Sequence, residues 1–556
     1  MLISNWLCVF ISFLISVCHC SNQPEVRTVQ GTVKGLYTKT INNRQIASFE
    51  GIPYAKPPAG KHRFKAPVAY GLWYGVLNAT REPPPCLQID VLSSTNAVKG
   101  SEDCLYVNVY TPQLPVDSAE PKLLDVIAFI HGGAYMEGNS KLHDPSILLD
   151  KDIVLVTINY RVGILGFLST EDDIVPGNNG LKDQSLALKW IQQNIAFFGG
   201  NPKSVTLGGH SSGGSSCHLH LLSPLSKGLF KSAIVMSSGP VLKVKQESNE
   251  KAKIVANDLG CPTNDSLSMV NCLRNRPASH IVSLSPLLQR DGSPALAVGP
   301  VIEPPSPNAF ISEPPINIIK NKGAADIPIL FSFVADEGLI GTAGLIIDDR
   351  MFEQFLKGWE DTLPYYLDFN QSVPVESRPQ IVQKIKDYYK IENSAEGKRN
   401  LVKLVNDRVF LSSISKVAKL TASLYSSPVY MYKFSYRGQF SLADIHTKEN
   451  LGVCHGDDLY YILGYLGGAK NVIKTEEDLQ VSKLMLDVWA SFAANGSLGE
   501  NWPPIQQELP KIVYTEIKGP EDLQLSLVDE LGEENFWDSL GFNENGESPI
   551  ISHTEL

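Results

Sequence analysis

The chain has 556 residues, 43% of them hydrophobic, and a formal net charge of −11. The apolar content supplies a large packed core and excludes a disordered chain. The acidic balance excludes nucleic acid as a partner, because phosphate binding needs clustered Lys and Arg.

At this length the chain is either two domains or one elaborated scaffold. No internal repeat and no Gly/Ser linker divides it, and the Pro-rich stretches read as ordered loops. The reading is therefore one catalytic domain over residues 21–556. Residues 1–20 carry an apolar run from Trp6 to Val17 followed by small or polar residues. They read as a signal peptide rather than a span, the run being short of the roughly 20 residues a transmembrane helix needs. No later segment is apolar enough to span, so the mature chain is expected to have no transmembrane span. Cys8, Cys18 and Cys20 leave with the signal. Cys86 with Cys104, and Cys261 with Cys272, would close short loops, each worth roughly 3 kcal/mol in the chain-entropy model. Cys217 and Cys454 are then expected as free interior thiols. Glycosylation acceptors at Asn78, Asn264, Asn370 and Asn495 fit the same secretory compartment.

Near-continuous apolar runs mark buried strands at Val126 to Ile130, Ile153 to Ile158, Val205 to Leu207, Ala233 to Met236, Ile329 to Val334 and Val429 to Phe434. Helical patterns lie between them, which predicts an α/β class with a large, mostly parallel sheet. The run at Val126 leads into His131-Gly132-Gly133-Ala134, a loop whose amides suit an oxyanion. The run at Val205 leads into Gly209-His210-Ser211-Ser212-Gly213, with a helix expected over Ser215 to Leu222. Strand, glycine-flanked serine and helix in that order describe a nucleophile elbow, with Ser211 as nucleophile and the Ser212 amide as a third oxyanion donor. His218 and His220 lie too close to Ser211 to be its base and read as packing residues; no metal site is expected. The run at Ile329 ends in Ala335-Asp336-Glu337-Gly338. Either carboxylate there suits an orienting acid, and pattern does not choose between them. His455, in Gly452-Val453-Cys454-His455-Gly456, follows as the candidate base. The last clear helix opens at Thr475 with Asp478 as its capping partner.

These residues carry a resemblance. Gly51-Ile52-Pro53-Tyr54-Ala55, Glu102-Asp103-Cys104-Leu105-Tyr106-Val107-Asn108-Val109-Tyr110, Asn159-Tyr160-Arg161, Gly180-Leu181-Lys182-Asp183-Gln184 and Phe198-Gly199-Gly200-Asn201-Pro202 together resemble type-B carboxylesterases, most of all those of insects. The resemblance implies an α/β-hydrolase fold, cleavage of small-molecule esters without metal or cofactor, and a triad of Ser211, Glu337 and His455. It implies the same two disulfides and makes Arg63–Glu102 and Arg161–Asp183 structural ion pairs. The sequence departs from the family at Ser212, usually Ala, and at His210, usually Glu. No Trp stands between Cys86 and Cys104, which removes the cation–π platform of a cholinesterase. A stoichiometric sink for acylating or phosphorylating xenobiotics, or a non-catalytic adhesion relative, are the alternatives. The tail His553-Thr554-Glu555-Leu556 is similar to endoplasmic-reticulum retrieval signals, so secretion and lumenal retention are both expected fates.

Overall fold

A computed structural model describes residues 23–89, 97–115, 122–239, 248–288, 297–464, 472–508 and 511–542. The expected signal peptide and the C-terminal tetrapeptide lie outside the described residues.

The apolar runs pair into one eleven-stranded sheet. In chain order its strands are β1 (Leu36–Lys39), β2 (Gln45–Pro53), β3 (Tyr106–Thr111), β4 (Leu124–Ile130), β5 (Ile153–Ile158), β6 (Gly200–His210), β7 (Ser232–Met236), β8 (Ile329–Val334), β9 (Val429–Phe434), β10 (Ile512–Ile517) and β11 (Leu523–Val528). Across the sheet they run β11-β10-β9-β8-β7-β6-β4-β5-β3-β2-β1. Every pairing from β5 to β10 is parallel. The flanks, β3-β2-β1 on one side and β11 on the other, join antiparallel.

Every residue of β5, β7 and β8 is buried, as strands covered on both faces must be. Successive side chains point to opposite faces and so feed two cores. Val126, Ala128, Ile130, Val154 and Val156 enter one core, and Ile127, Phe129, Ile153 and Leu155 enter the other. The covering helices include α1 (Asn179–Asn194), α2 (Ser212–Leu222), α3 (Ala395–Val405), α4 (Ser412–Leu424) and α5 (Glu476–Asn495). Residues of α1, α2 and α4 pack into the first core, and Val481, Met485, Val488 and Phe492 of α5 into the second. At the head of α5 the Thr475 hydroxyl accepts from the Asp478 amide, and the Asp478 carboxylate accepts from the Thr475 amide.

Two bidentate ion pairs fasten loops to this frame. Arg63 Nε and Nη2 donate to the two Glu102 oxygens, each at 2.7 Å. Arg161 Nε and Nη2 donate to Asp183 Oδ2 and Oδ1 at 2.7 and 2.6 Å, fully inside the protein. The parallel strands β4, β6 and β8 deliver their C-terminal ends to one edge of the sheet. Ligand sites in open α/β sheets gather at that edge.

Candidate active site

Strand β6 passes into α2 through a single residue. Ser211 has φ 59° and ψ −127°, a region that L-residues rarely occupy. Such a conformation costs on the order of 1–3 kcal/mol and persists only where the surroundings enforce it. Here the Ser211 amide donates to the Met236 carbonyl at 3.0 Å, and its carbonyl accepts from the Ser215 amide at 3.0 Å. The neighbouring glycines are required by space. A Cβ on Gly209 would sit 2.4 Å from the Gly213 carbonyl oxygen, and one on Gly213 would sit 2.1 Å from that of Ile130. The helix opens at Ser212, three residues before the expected start at Ser215. Its amide is therefore among those a helix leaves without an intrahelical acceptor.

Beyond β4 the chain turns over the elbow. A Cβ on Gly132 would lie 2.8 Å from the His210 carbonyl oxygen and 3.0 Å from Ser211 Cβ, so the Gly132 backbone rests against the nucleophile candidate. Gly133, Ala134 and Tyr135 follow with φ of 110°, 54° and 57°. His131 Nδ1 donates to the Gly132 carbonyl at 2.8 Å, its ring stacks on Tyr160, and the Tyr160 hydroxyl donates to the His131 carbonyl at 2.9 Å. From the other side Gln88 exchanges two hydrogen bonds with the Gly138 backbone, at 2.8 and 2.9 Å. Gln88 stands two residues beyond Cys86, which is bonded to Cys104. The disulfide thus steadies the brace of this loop.

The acid candidate and the base candidate come together where β8 ends. Glu337 Oε1 accepts from the Val334 amide at 2.8 Å, and Oε2 lies 2.5 Å from His455 Nδ1. Asp336 has a different task. Its Oδ2 accepts from the Val453 amide at 3.0 Å, so it holds the backbone of the His455 turn rather than the ring. Asp457 fixes the turn from its far end, accepting from the Cys454 amide at 2.7 Å and the Leu442 amide at 2.8 Å. Burial pushes the Glu337 carboxyl up and the His455 imidazole down, so both are biased towards neutrality. The His455 ring centroid lies 4.4 Å from that of His210 and 4.9 Å from that of Phe410. His210 immediately precedes Ser211, so the base candidate sits beside the elbow.

The carboxylesterase family matches residues 22–527. The chain belongs to the carboxylesterase family. This carboxylesterase is 41% identical to Esterase FE4 of Myzus persicae, over 90% of each chain. It is 36% identical to Venom carboxylesterase-6 of Apis mellifera, over 98% of this chain and 99% of that one. Among solved structures, juvenile hormone esterase from Manduca sexta, with OTFP covalently attached, superposes with a TM-score of 0.80 at 30% identity, covering 93% of this chain and 99% of that one. The carboxylesterase is thus an α/β-hydrolase and a carboxylic ester hydrolase.

The remaining sequence expectations concern cysteines, histidines and asparagines outside the triad candidates. In the carboxylesterase Cys261 is bonded to Cys272, and Cys217 and Cys454 are buried free thiols. His220 is taken up by Ser226 and Gln184 at 2.6 and 2.9 Å, while buried His218 lies against Phe331. Asn78, Asn264 and Asn495 are exposed and Asn370 is half-buried. Sequence reasoning did not find Asp457, Gln88 or Phe410. None stands in a spacing pattern, and each reaches the site only through tertiary contact.

Proposed function

We propose that this esterase works through Ser211, His455 and Glu337 by way of an acyl-enzyme. The contact of 2.5 Å between Glu337 Oε2 and His455 Nδ1, beside the strained elbow at Ser211, carries the reading. A proton on Nδ1 held by Glu337 leaves the Nε2 lone pair free to act as a base. His455 then takes the Ser211 proton as Oγ attacks the ester carbonyl. The amides of Gly132, Gly133 and Ser212 receive the developing oxyanion, a contribution of about 2.7–4 kcal/mol per donor in comparable enzymes. The alcohol leaves with the proton from His455. Water, deprotonated by the same imidazole, then releases the acid. Glu337 orients the ring and stabilises its charged form. The covalent attachment of OTFP to the juvenile hormone esterase of Manduca sexta supports an enzyme-bound intermediate.

The substrate class we propose is a xenobiotic, dietary or signalling ester. The two disulfides fit maturation of one domain over residues 21–556 in the secretory pathway, with sugars on Asn78, Asn264, Asn370 and Asn495. Among the described residues no helix is long and apolar enough to cross a membrane. The test is Ser211→Ala assayed on p-nitrophenyl and naphthyl esters. Loss of turnover in a folded variant is expected, and wild-type turnover would remove the reading. A burst with negligible steady state in the wild type would instead assign a stoichiometric sink.

A further inference from the structure

The helical run that carries Phe410 is not continuous. Between α3 and α4, residues Asn406–Leu411 form a π-turn, in which hydrogen bonds close over five residues instead of four. The burial pattern shows the resulting change of register. Leu401, Leu404 and Val405 form the buried stripe of α3. Continued at α-helical spacing of three and four, that stripe would turn residues 407, 408 and 409 inward, and only Asp407, 3% exposed, is fully buried among them. Instead Val409 is 44% exposed and Phe410 is 8% exposed. Phe410 comes five positions after Val405, the spacing of the π-turn. One extra residue rotates the downstream helix by about 100°, and here that rotation faces Phe410 onto the His455 ring, 4.9 Å away.

Both ends of the turn are clasped by glycines where no side chain fits. A Cβ on Gly338 would sit 2.3 Å from the Val402 carbonyl oxygen and 3.0 Å from the Asn406 amide. Gly338 is the residue after Glu337, so the turn abuts the acid as well as the base. A Cβ on Gly532 would lie 2.5 Å from the Ser412 amide, 2.6 Å from Leu411 Cβ and 2.9 Å from the Asp407 carbonyl oxygen. Within the turn, Asp407 accepts from the Tyr389 hydroxyl at 3.1 Å and pairs with Lys403. These contacts over-determine a backbone form that is rare in proteins. Rare π-turns recur at functional sites.

We propose that the π-turn Asn406–Leu411 is a positioning device for the base, with Phe410 and His210 as the two rings that hold the His455 imidazole at the elbow. A carboxylate at Nδ1 fixes one atom of the ring but leaves it free to swing about that contact. Ring packing restricts the swing and keeps Nε2 near Ser211. Phe410 is accordingly a positioning residue, and its removal lowers the share of enzyme in which the base is in place. That loss is the same for every ester, because it precedes any contact with the acyl chain.

This inference rests on the proposed triad, and the experiment separates the two. Phe410→Ala, Phe410→Tyr and Ser211→Ala are assayed on p-nitrophenyl acetate, butyrate and hexanoate, with the rate of covalent labelling by a fluorophosphonate followed in parallel. Phe410→Ala is expected to lower kcat about tenfold or more by the same factor across the series, with little change in KM and an equal fall in labelling rate. Phe410→Tyr is expected to stay within about threefold of wild type. If Phe410→Ala does not fold, Phe410→Leu takes its place, with a uniform loss of about threefold expected and no loss overturning the proposal. Unchanged labelling by folded Phe410→Ala overturns it. So does a loss that grows with acyl length, which would make Phe410 a pocket wall. An inactive Ser211→Ala beside an unaffected Phe410→Ala would sink the π-turn alone, whereas an active Ser211→Ala would sink the triad.

Discussion

Glu337→Gln is nearly isosteric, and the structure makes it a severe lesion. The two carboxylate oxygens of Glu337 have unlike partners. Oε1 accepts from the Val334 amide at 2.8 Å, and Oε2 meets His455 Nδ1 at 2.5 Å. A backbone N–H only donates, so the glutamine carbonyl must take the Oε1 position. Its NH2 group then faces Nδ1 and also donates. His455 can satisfy that contact only by carrying its proton on Nε2, the atom proposed to receive the proton of Ser211. The same inversion of tautomer in a Ser-His-Asp protease costs about 10⁴ in kcat, or roughly 5.4 kcal/mol. Flipping the amide rescues the base but sets two donors against each other at Val334. Leaving that buried group unsatisfied costs about 1–3 kcal/mol, which still removes about one to two orders of magnitude. The loss in kcat on p-nitrophenyl butyrate is therefore expected between about 10 and 10⁴, the flipped amide setting the low end and the inverted tautomer the high end, with the circular dichroism spectrum unchanged. Glu337→Ala leaves the tautomer free, so glutamine should be no better than alanine despite its closer shape. Turnover by Glu337→Gln within tenfold of wild type would refute the assignment of the two oxygens.

Burial holds the His455 imidazole below its ordinary 6.5, so the neutral base survives into more acid solution. The acid limb of kcat/KM is thus expected below pH 6.5, and a limb at or above that value in a pH–rate profile would contradict it. Ser211→Gly should abolish turnover yet stabilise the fold by about 1 kcal/mol in urea denaturation, because glycine relieves the φ of 59° at that position and loses part of the gain to unfolded-state entropy. Equal or lower stability would mean that the elbow stores no strain. In Gly213→Ala the new methyl would meet the Ile130 carbonyl oxygen at 2.1 Å, a backbone atom that cannot move aside. A loss above about 4 kcal/mol, or no folded protein on expression, is expected by thermal melting, and near-wild-type stability would refute the close approach.

The parts of this molecule that were legible in the sequence are those whose physics is local. Strands β5, β8 and β9 have the ends their apolar runs suggested, since a strand covered on both faces is near-continuously apolar, interrupted here only by Thr157, Ser332 and Lys433. The flanking strands lack that signature. In β11 no residue is fully buried, and Leu525 and Leu527 are more than 60% exposed, so no continuous apolar run marks it and its alternation Leu-Gln-Leu-Ser-Leu does not report a buried face. The elbow was legible because its glycines are demanded by a turn within five residues. The choice between Asp336 and Glu337 was legible from the resemblance but not from pattern, because both carboxylates reach the same turn. One takes a backbone amide at residue 453 and the other the ring at residue 455, and only the direction in which the chain leaves β8 decides which. Phe410 was further out of reach. Its place over the imidazole depends on one additional residue in a helix, and a stripe of apolar side chains read at α-helical period would have turned position 409 inward instead. Local sequence therefore specifies the chemistry this esterase can perform. The long-range contacts of Gly338, Gly532, Asp457 and Gln88 specify where that chemistry is held.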